Sequence, residues 1–394
     1  MEEKLKILMV HNYYQIPGGE DTVVANEKRM LEDQGHRVIL YQRSNLELKN
    51  MSKIRKMFLP VTMVFSPKVY KEVCKIIKEQ KTDLVHVHNT LFLISPSVYY
   101  AAIKRGVPVV QTIHNFRLLC PGATFYRDGH ICEECVKKGL IRAIKHKCYR
   151  DSRLQTLACG INMKIHRLSG IYRRINYICL TEFNRNKLLE FNQIRKENVF
   201  IKSNFVESAG AVMPGEQRKN QFVFAGRLEK IKGVDLLLAA WKEMADQAPG
   251  LIICGTGPLE GWCGKFVEEK NLKTVQMMGY VPNEKVQKLI GESKALILPT
   301  RCYEGFPMSM VEAFSVGTPV VCPDMGNTGS IVLNGINGLK FIPDSKEDLI
   351  RAVLEISKYN QINETTYHTY LEKYTRKKNY RKMMDIYKEV IRRG

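Results

Sequence analysis

The feature that most constrains the fold is an alternation of short apolar runs with segments of helical periodicity. In the first part of the chain, the runs typical of buried strands are residues 6–10, 37–41, 84–87 and 107–113. The intervening segments, such as 20–34 and 67–79, have the amphipathic spacing of helices. Strands separated by helices form parallel sheets with helices on both faces. The pattern therefore predicts a doubly wound α/β fold.

The same alternation restarts after a polar linker at about 203–221. The apolar runs of this second series are residues 222–224, 250–254, 275–278, 295–298 and 319–321. A chain of 394 residues is too long for a single core and suits two domains. We predict two Rossmann-like domains, residues 1–203 and 204–374, that face each other across a cleft. The tail, 364–393, has a helical pattern, and its last part, about 375–394, is expected to pack back on the first domain.

Charge and hydropathy limit the binding partners and the cellular location that we expect for the protein. The net charge of +21 predicts an anionic partner, which could be nucleic acid, an acidic membrane surface or a phosphorylated substrate. No motif typical of nucleic-acid binding is present, so we expect no nucleic acid. The beginning of the chain does not resemble a signal peptide, and the longest uncharged stretch, 84–103, is too polar to span a membrane. We expect a cytoplasmic protein with reduced thiols.

A glycine-rich turn with two cations follows the first strand of the second domain. Gly226 lets a ligand approach the backbone closely, and Arg227 and Lys232 add positive charge at the end of the strand. The helix expected from Val234 contributes its positive N-terminal dipole. This arrangement suits a diphosphate. The alternative is a solvated turn with incidental charges.

Two further segments follow later strands of the same domain. Gly255, Gly257 and Pro258 form a turn that could hold a nucleobase, although such turns are common. Glu304 and Glu312 flank a predicted helix start, and the residues between them that would face a ligand are Phe306, Pro307, Met308 and Ser309. Two carboxylates can bind two sets of sugar hydroxyls, while helix N–H groups face phosphate. The alternative for Glu312 is an ordinary charge on a helix face.

These three segments, in this order, resemble glycosyltransferase family 4. Its C-terminal domain carries a G-R-L-x-x-x-K-G phosphate site, a G-x-G-P turn and an E-x7-E motif, all intact here. The resemblance implies a GT-B fold and a retaining hexosyltransferase that uses a nucleotide-diphosphate sugar. It also implies that Arg227 and Lys232 neutralise the diphosphate, that Glu304 holds the sugar hydroxyls and that Glu312 holds the ribose. The backbone at Met308 and Ser309 would donate to phosphate.

The resemblance extends to the first domain. Gly18 and Gly19 resemble the family's loop over the diphosphate and acceptor, and His114 resembles its histidine beside the donor sugar. In isolation, two glycines are more often a turn, and a histidine at a strand end is more often a packed residue. His86 and His88 are left outside the catalytic set for that reason. Residues 11–20 and 114–122 resemble a branch tied to bacterial surface polysaccharides, such as capsule, exopolysaccharide or lipopolysaccharide.

The sequence contains no Asp-x-Asp motif for a catalytic divalent ion. We therefore predict that no cofactor is needed for catalysis and that Arg227, Lys232 and a helix dipole stabilise the leaving diphosphate. No convincing nucleophile lies between the motifs, so we expect the departing phosphate oxygen to take the acceptor proton without a separate base.

The insertion at 120–150 carries cysteines with the spacing C-x11-C-x2-C-x12-C. These thiols, which suit a structural zinc, are Cys120, Cys132, Cys135 and Cys148. The alternative is that they are simply buried.

Basic segments predict a membrane contact. Residues 137–174 contain eleven Lys or Arg and one acid, and a second basic cluster precedes the apolar run 57–65. Such segments suit peripheral binding to an anionic membrane, on the inner face of the plasma membrane, where a polyprenyl-diphosphate-linked glycan would be the acceptor. The alternative is a solvated basic face. Rival functions on the same fold are a sugar-nucleotide epimerase, a sugar-phosphate synthase and a non-catalytic partner subunit.

Overall fold

The computed structural model describes residues 4–16, 18–208, 212–356, 358–359 and 361–394. Two compact units are present. The first comprises Met1–Ala123, Glu133–Asn204 and Asn379–Gly394, and the second comprises Thr124–Cys132 and Phe205–Lys378. Residues 209–211 of the predicted linker lie outside the described residues.

The strands follow in chain order. They are β1 (Lys6–Tyr13), β2 (Arg37–Ser44), β3 (Leu84–Asn89), β4 (Val109–Ile113), β5 (Tyr126–Arg127), β6 (His130–Ile131), β7 (Asn176–Cys179), β8 (Val199–Ile201), β9 (Lys219–Ala225), β10 (Gly250–Cys254), β11 (Val275–Gly279), β12 (Ser293–Ile297), β13 (Val320–Pro323) and β14 (Gly338–Phe341).

The α-helices lie between and after them. They are α1 (Gly19–Asp33), α2 (Lys53–Val64), α3 (Pro67–Gln80), α4 (Ser97–Lys104), α5 (Glu134–Lys137), α6 (Ile141–Lys145), α7 (Arg153–Leu168), α8 (Glu182–Leu189), α9 (Val234–Met244), α10 (Glu260–Glu269), α11 (Asn283–Gly291), α12 (Met308–Ser315), α13 (Gly326–Ile331), α14 (Lys346–Ile356), α15 (Ile362–Lys373) and α16 (Arg376–Arg393).

The sheet of the first unit is parallel, with strand order β2-β1-β3-β4-β7-β8. Its central strands are apolar on both faces because helices cover both, as the adjacent residues Leu8 and Met9, which point to opposite faces, show by both being fully buried. The predicted α/β class is confirmed. Strands β7 and β8 were not predicted, since runs of four and three residues give almost no periodic signal.

The sheet of the second unit is also parallel, with strand order β11-β10-β9-β12-β13-β14. Counted from β9, this is the doubly wound order 3-2-1-4-5-6. Phe222, Phe224 and Trp241 are buried in the core on one face of the sheet. The helical tail differs from the single helix predicted for 364–393. It breaks between α15 and α16, where Thr375 Oγ1 accepts a hydrogen bond from the Lys378 N–H at 3.4 Å and caps the second helix.

A short hairpin occupies part of the predicted insertion. Strands β5 and β6 pair antiparallel around Asp128 and Gly129, which both have positive φ, at 49° and 85°. An Asp-Gly turn of this kind is a strong hairpin signal that the sequence reading missed. The hairpin belongs to the second unit, where the Phe125 ring meets the edge of Tyr303 with ring centroids 6.1 Å apart. Among the described helices, none is both long and apolar enough to cross a bilayer.

Candidate active site

The three predicted segments of the second unit meet at one edge of its sheet. Strands β9 and β12 are neighbours, and the direction of winding reverses between them. Ligands of doubly wound sheets bind beyond the carboxyl ends of the strands at such a reversal. The turn 226–233 follows β9, the turn 255–258 follows β10, and the loop with Glu304 follows β12. The topology therefore gathers these segments, as the sequence predicts.

The turn after β9 holds Lys232 beside Glu304. The Lys232 ammonium donates to both carboxylate oxygens of Glu304, at 2.7 and 2.9 Å. Burial by itself would lower the pKa of Lys232, but the Glu304 carboxylate more than offsets it, so the pKa is raised. The two side chains are 32% and 16% exposed, which leaves both accessible to a ligand. A cation and a carboxylate thus stand side by side at the sheet edge.

Arg227 lies on the same turn and is much more exposed. Its Nη2 is 2.5 Å from Oε1 of Glu229, and 58% of the side chain is accessible. Exposed pairs of this kind contribute about 1 kcal/mol or less, so the guanidinium can exchange this partner for an anionic ligand.

Arg301 connects the two loops and was missed by the sequence reading. Its Nη1 donates to the carbonyl of Lys230 at 2.9 Å and to Asp235 at 2.6 Å, while Nε donates to Asp344 at 2.6 Å. Its backbone N–H donates to the carbonyl of Ile231 at 2.9 Å. These contacts fix the 230–232 turn against the loop after β12. No sequence pattern marks this role, because the partners are distributed over three separate segments.

At three positions of these turns, packing explains why the residue is glycine. Gly233 has φ of 72°, and a Cβ there would lie 1.8 Å from the carbonyl oxygen of Pro299. Gly255 and Gly257 are equally constrained, since added Cβ atoms would lie 1.9 and 2.6 Å from the backbone oxygens of Gly226 and Leu228. The glycines of the G-x-G-P turn therefore let two loops pack backbone to backbone, as the 3.0 Å hydrogen bond from Leu228 N to Thr256 O illustrates.

The E-x7-E segment is held from two sides. Asn327 Nδ2 donates to the carbonyls of Glu304 and Gly305, at 2.5 and 2.8 Å. Helix α12 begins at Met308 directly after Pro307, which places the positive end of its dipole next to the loop, as predicted. Within that helix, burial raises the pKa of Glu312, and Asn283 opposes this by donating to Oε1 at 3.2 Å. Asn283 is a second residue that the sequence reading missed.

The first unit presents Gly18 at the start of α1. Gly18 has an extended backbone, with φ of −135°, and an added Cβ would meet no described residue within 4 Å. Neither packing nor conformation therefore requires glycine at this position. The Gly18 N–H donates to Asp21 Oδ2 at 2.9 Å, and the other oxygen of Asp21 is 2.7 Å from Nε2 of the buried His11.

His114 lies just after β4 and contacts a histidine that sequence reasoning left aside. The His114 Nε2 is 2.9 Å from His88 Nδ1, and the two rings stack with centroids 5.2 Å apart. Burial lowers the pKa of each imidazole well below its ordinary value. His88 in turn faces Glu27, whose Oε2 is 3.7 Å from His88 Nε2. His114 is therefore the outer end of a buried polar chain.

His86, Glu27 and His88 have ligand-type atoms within 4.8 Å of one another. Their other contacts argue for a hydrogen-bonded network rather than a metal centre. His86 uses both ring nitrogens, at 2.8 Å from Thr112 Oγ1 and 2.7 Å from the Tyr387 hydroxyl. The Lys202 ammonium lies 2.7 Å from Glu27 Oε1, and a second cation at this point would be repelled.

Comparisons with known proteins agree with the fold. A family model described as Glycosyltransferase Family 4 matches residues 17–208, and one described as Glycosyl transferases group 1 matches residues 213–378. The uncharacterized glycosyltransferase MJ1178 of Methanocaldococcus jannaschii is 23% identical over 92% of this chain and 91% of its own. An uncharacterized 41.2 kDa protein in the cps region of Klebsiella pneumoniae is 21% identical over 84% and 85%. The crystal structure of Anabaena HepE in complex with UDP and glucose has the same fold, with a TM-score of 0.66 at 15% identity over 97% of this chain and 98% of that chain.

Proposed function

Because the chain belongs to glycosyltransferase family 4, we propose that it is a retaining, metal-independent transferase that moves a sugar from a nucleotide-diphosphate sugar to a glycan. The observation that carries this proposal is the Lys232–Glu304 pair at the carboxyl edge of the second sheet, with Arg227 on the same turn as Lys232. Lys232 and Arg227 supply positive charge for the diphosphate, and Glu304 supplies acceptors for sugar hydroxyls. A uridine nucleotide is the first donor to test, since HepE is described in complex with UDP and glucose.

The proposed mechanism uses these charges at the transition state. Negative charge accumulates on the leaving diphosphate as the sugar becomes cationic, and the two cations with the dipole of α12 stabilise it there. The departing phosphate oxygen takes the acceptor proton on the same face of the sugar, which retains the anomeric configuration. Glu312 holds the ribose, and Gly255, Gly257 and Pro258 lie where the nucleobase would be. In the first unit, His114 faces the donor sugar.

Gly18 supports the ligand-facing role of the α1 start. Gly18 is the N-cap of α1, a position that glycine tolerates well, and the lack of a side chain there leaves the backbone open to close approach by a ligand. We propose that the backbone of Gly18 and Gly19 contacts the diphosphate or the acceptor.

Three variants test the donor site. Arg227→Ala, Lys232→Ala and Glu304→Ala should each reduce turnover of the donor sugar about a hundred- to thousandfold, as expected for loss of one group of a preorganised charge site. Lys230→Ala is the matched control, because Lys230 is an exposed cation on the same turn. Near wild-type rates in the three site variants would contradict the proposal. NMR of the donor without acceptor separates transfer from epimerisation.

We propose that the acceptor is a polyprenyl-diphosphate-linked glycan of a surface polysaccharide, and that the protein binds the cytoplasmic face of an anionic membrane. A relative encoded in a cps region supports the pathway. The membrane contact is supported by α2 and α7, which pack against each other in the first unit. His166 Nε2 on α7 lies 2.9 Å from the carbonyl of Val64 at the end of α2.

Both helices expose an apolar stripe. On α7 the exposed large residues recur every three or four positions and are Leu154, Leu157, Ile161, Ile165 and Leu168. On α2 they are Ile54, Met57, Phe58 and Val61, which are 70%, 69%, 54% and 66% exposed. Exposed cations flank the stripes, at Lys53, Arg55, Lys56, Arg153 and Lys164. Apolar residues bordered by cations match an anionic lipid surface, where each Lys or Arg adds about 1 kcal/mol.

Vesicle binding tests the membrane contact. The wild-type protein should co-sediment with vesicles that contain anionic lipid, and high salt should weaken binding. Replacing Phe58 and Ile161 together by Gln should weaken it roughly a hundredfold, since each side chain is only about half exposed and about 1.5 kcal/mol for each gives about 3 kcal/mol together. Ile342→Gln is the control, because Ile342 is 64% exposed in the second unit. Equal binding of the double variant, or equal binding to neutral vesicles, would refute the contact.

A structural zinc in the cysteine segment is a further proposal. Cys120 and Cys148 lie near each other in the first unit, since the position of a Cβ on Gly122 is 3.7 Å from Cys120 Sγ and 3.8 Å from Cys148 Cβ. Cys135 belongs to the same unit and is buried, and Cys132 follows strand β6. Thiolates bind zinc tetrahedrally. Metal analysis should find zinc in the wild-type protein and in Cys263→Ser but a reduced amount in Cys135→Ser, and a zinc-free wild-type protein would end the proposal.

A further inference from the structure

A buried chain of polar side chains runs inward from His114 through the first unit. It passes from His114 Nε2 to His88 Nδ1 at 2.9 Å, and from His88 Nε2 to Glu27 Oε2 at 3.7 Å. Glu27 Oε1 then lies 2.7 Å from the Lys202 ammonium, which also donates to Asn379 Oδ1 at 3.2 Å. Glu27 is fully buried, and His88 and Lys202 are nearly so. The donor-site chemistry proposed above uses none of these side chains except His114.

The unusual feature of this chain is its one long step. His88 Nε2 and Glu27 Oε2 are both buried and have no hydrogen-bond partner among the described residues, and the two atoms are 3.7 Å apart. A buried polar group without a partner costs about 1–3 kcal/mol. A hydrogen bond between these two atoms would remove the cost for both, so a proton on one of them is favoured. The distance of 3.7 Å is compatible with this, because hydrogen bonds at active sites are often long before a ligand binds.

The chemistry of these groups fixes where each proton lies. A neutral imidazole has one N–H donor and one acceptor nitrogen, whereas an ionised carboxylate accepts only. Burial, together with the neighbouring imidazoles, lowers the pKa of His88, so its ring is neutral. A lone pair on His88 Nε2 would face the lone pairs of Glu27, which is repulsive. The N–H of His88 is therefore on Nε2, its Nδ1 accepts, and His114 must donate from Nε2.

We propose that Glu27 and His88 are positioning residues that hold His114 in the Nε2–H tautomer, with the lone pair of Nδ1 available to a sugar hydroxyl. This inference rests on the proposed function for the role of His114. Lys202 neutralises Glu27, and this balance is what makes a carboxylate tolerable in the core. The second nitrogen of a histidine commonly sets the tautomer of the first in this way.

The cavity beside His114 matches this assignment. It has a volume of about 70 Å³ and is bordered by His88, His114 and Asn162, among other residues. The Oδ1 atom of Asn162 is buried and has no hydrogen-bond partner in the part of the chain that the structure describes. With the Nδ1 lone pair of His114, the cavity would offer two acceptors. A ligand group that donates hydrogen bonds, such as the hydroxyls of a sugar, fits these acceptors.

The test reads the tautomer directly. Nitrogen-15 NMR of histidine-labelled protein distinguishes a protonated ring nitrogen from a bare one, and a His114→Gln spectrum assigns the His114 signals. In the wild-type protein, Nε2 of His114 should be the protonated nitrogen. In the double variant Glu27→Gln with Lys202→Met, which removes both charges together, the amide of Gln can donate to His88 Nε2. The chain then reverses, so His114 should carry its proton on Nδ1, and kcat should fall about five- to tenfold for one lost hydrogen bond.

Tyr380→Phe is the matched control, since it removes another hydrogen bond to a buried histidine of the same unit, the 2.9 Å contact with His36. It should leave both the His114 signals and kcat unchanged. A wild-type His114 protonated on Nδ1 would overturn the inference, and so would an unchanged tautomer in the folded double variant. The wild-type spectrum decides even if the double variant does not fold. Absence of transfer with the predicted tautomer would instead count against the proposed function alone.

Discussion

Replacement of Glu304 by Gln should separate the binding of the diphosphate from the binding of the sugar. In the structure, both oxygens of Glu304 contact the ammonium of Lys232, at 2.7 and 2.9 Å. A diphosphate that binds Lys232 must compete with this carboxylate and is also repelled by it. Glu304→Gln removes the competitor and the negative charge while keeping the shape of the side chain. The variant should therefore bind free nucleoside diphosphate more tightly than the wild-type protein.

The magnitude follows from the exposure of the pair. Lys232 is 32% exposed and Glu304 is 16% exposed, so the ion pair is worth about 1 kcal/mol, which is roughly a fivefold gain in affinity for free UDP. The sugar nucleotide should behave in the opposite way, because Gln accepts from the sugar hydroxyls less strongly than a carboxylate. Lys232→Met should weaken both ligands roughly 10- to 150-fold, for a loss of about 1.5–3 kcal/mol.

Calorimetric titration of UDP and of UDP-glucose into wild-type, Glu304→Gln, Lys232→Met and the double variant completes the cycle. If thermal shift identifies another nucleotide as the preferred ligand, that nucleotide replaces UDP. In the wild-type background, part of the gain in UDP affinity of Glu304→Gln comes from freeing the Lys232 ammonium. In the Lys232→Met background this part of the gain should be lost. Weaker binding of free UDP by Glu304→Gln, or unchanged binding by Lys232→Met, would refute the reasoning.

Three further predictions concern stability. Gly233→Ala should cost about 2–5 kcal/mol in urea unfolding, because φ is 72° and the new Cβ would meet the Pro299 carbonyl, whereas Gly264→Ala within α10 has open space and should stabilise slightly. Arg301→Leu should cost about 2–3 kcal/mol and reduce activity, since it leaves Asp235 without its partner and releases the turn that carries Lys232. Burial raises the pKa of Glu20 to about 8, so the stability that its protonation contributes is complete below pH 4 and is lost as the pH rises toward 8. Between pH 4.5 and pH 8 the melting temperature of Glu20→Gln should therefore fall less than that of the wild-type protein.

The sequence predicted the grouping of the donor-site residues because the topology follows from the alternation of strands and helices. Once β9, β10 and β12 belong to one parallel sheet, whatever follows them in the chain lies at the same edge. Lys232 and Glu304 could be paired on that basis. The residues that hold them, Arg301 and Asn327, could not be found, because a hydrogen bond to a backbone carbonyl of another loop leaves no trace in sequence spacing.

The buried network of the first unit was beyond sequence reasoning for a similar reason. Glu27 and Lys202 are separated by 175 positions and Tyr387 and His86 by 301, and nothing local marks them as partners. A charged residue can be assigned to the core only when the counterion that neutralises it is known. From the sequence alone His88 is best interpreted as a packed residue, and it is buried, but it also contacts His114 at 2.9 Å.

Helix α7 carries an apolar stripe that periodicity alone would assign to the core. The apolar residues from Leu154 to Leu168 have the spacing of a core-facing stripe, yet the structure turns them outward. The opposite face carries buried Asn162 and His166, whose polar atoms need partners inside the unit. A helix with this inverted pattern loses apolar burial unless something covers its outer face. Asn162 also borders the cavity beside His114. One helix thus links the proposed membrane surface with the cavity beside His114, an arrangement that fits the proposed acceptor with its lipid anchor and glycan head.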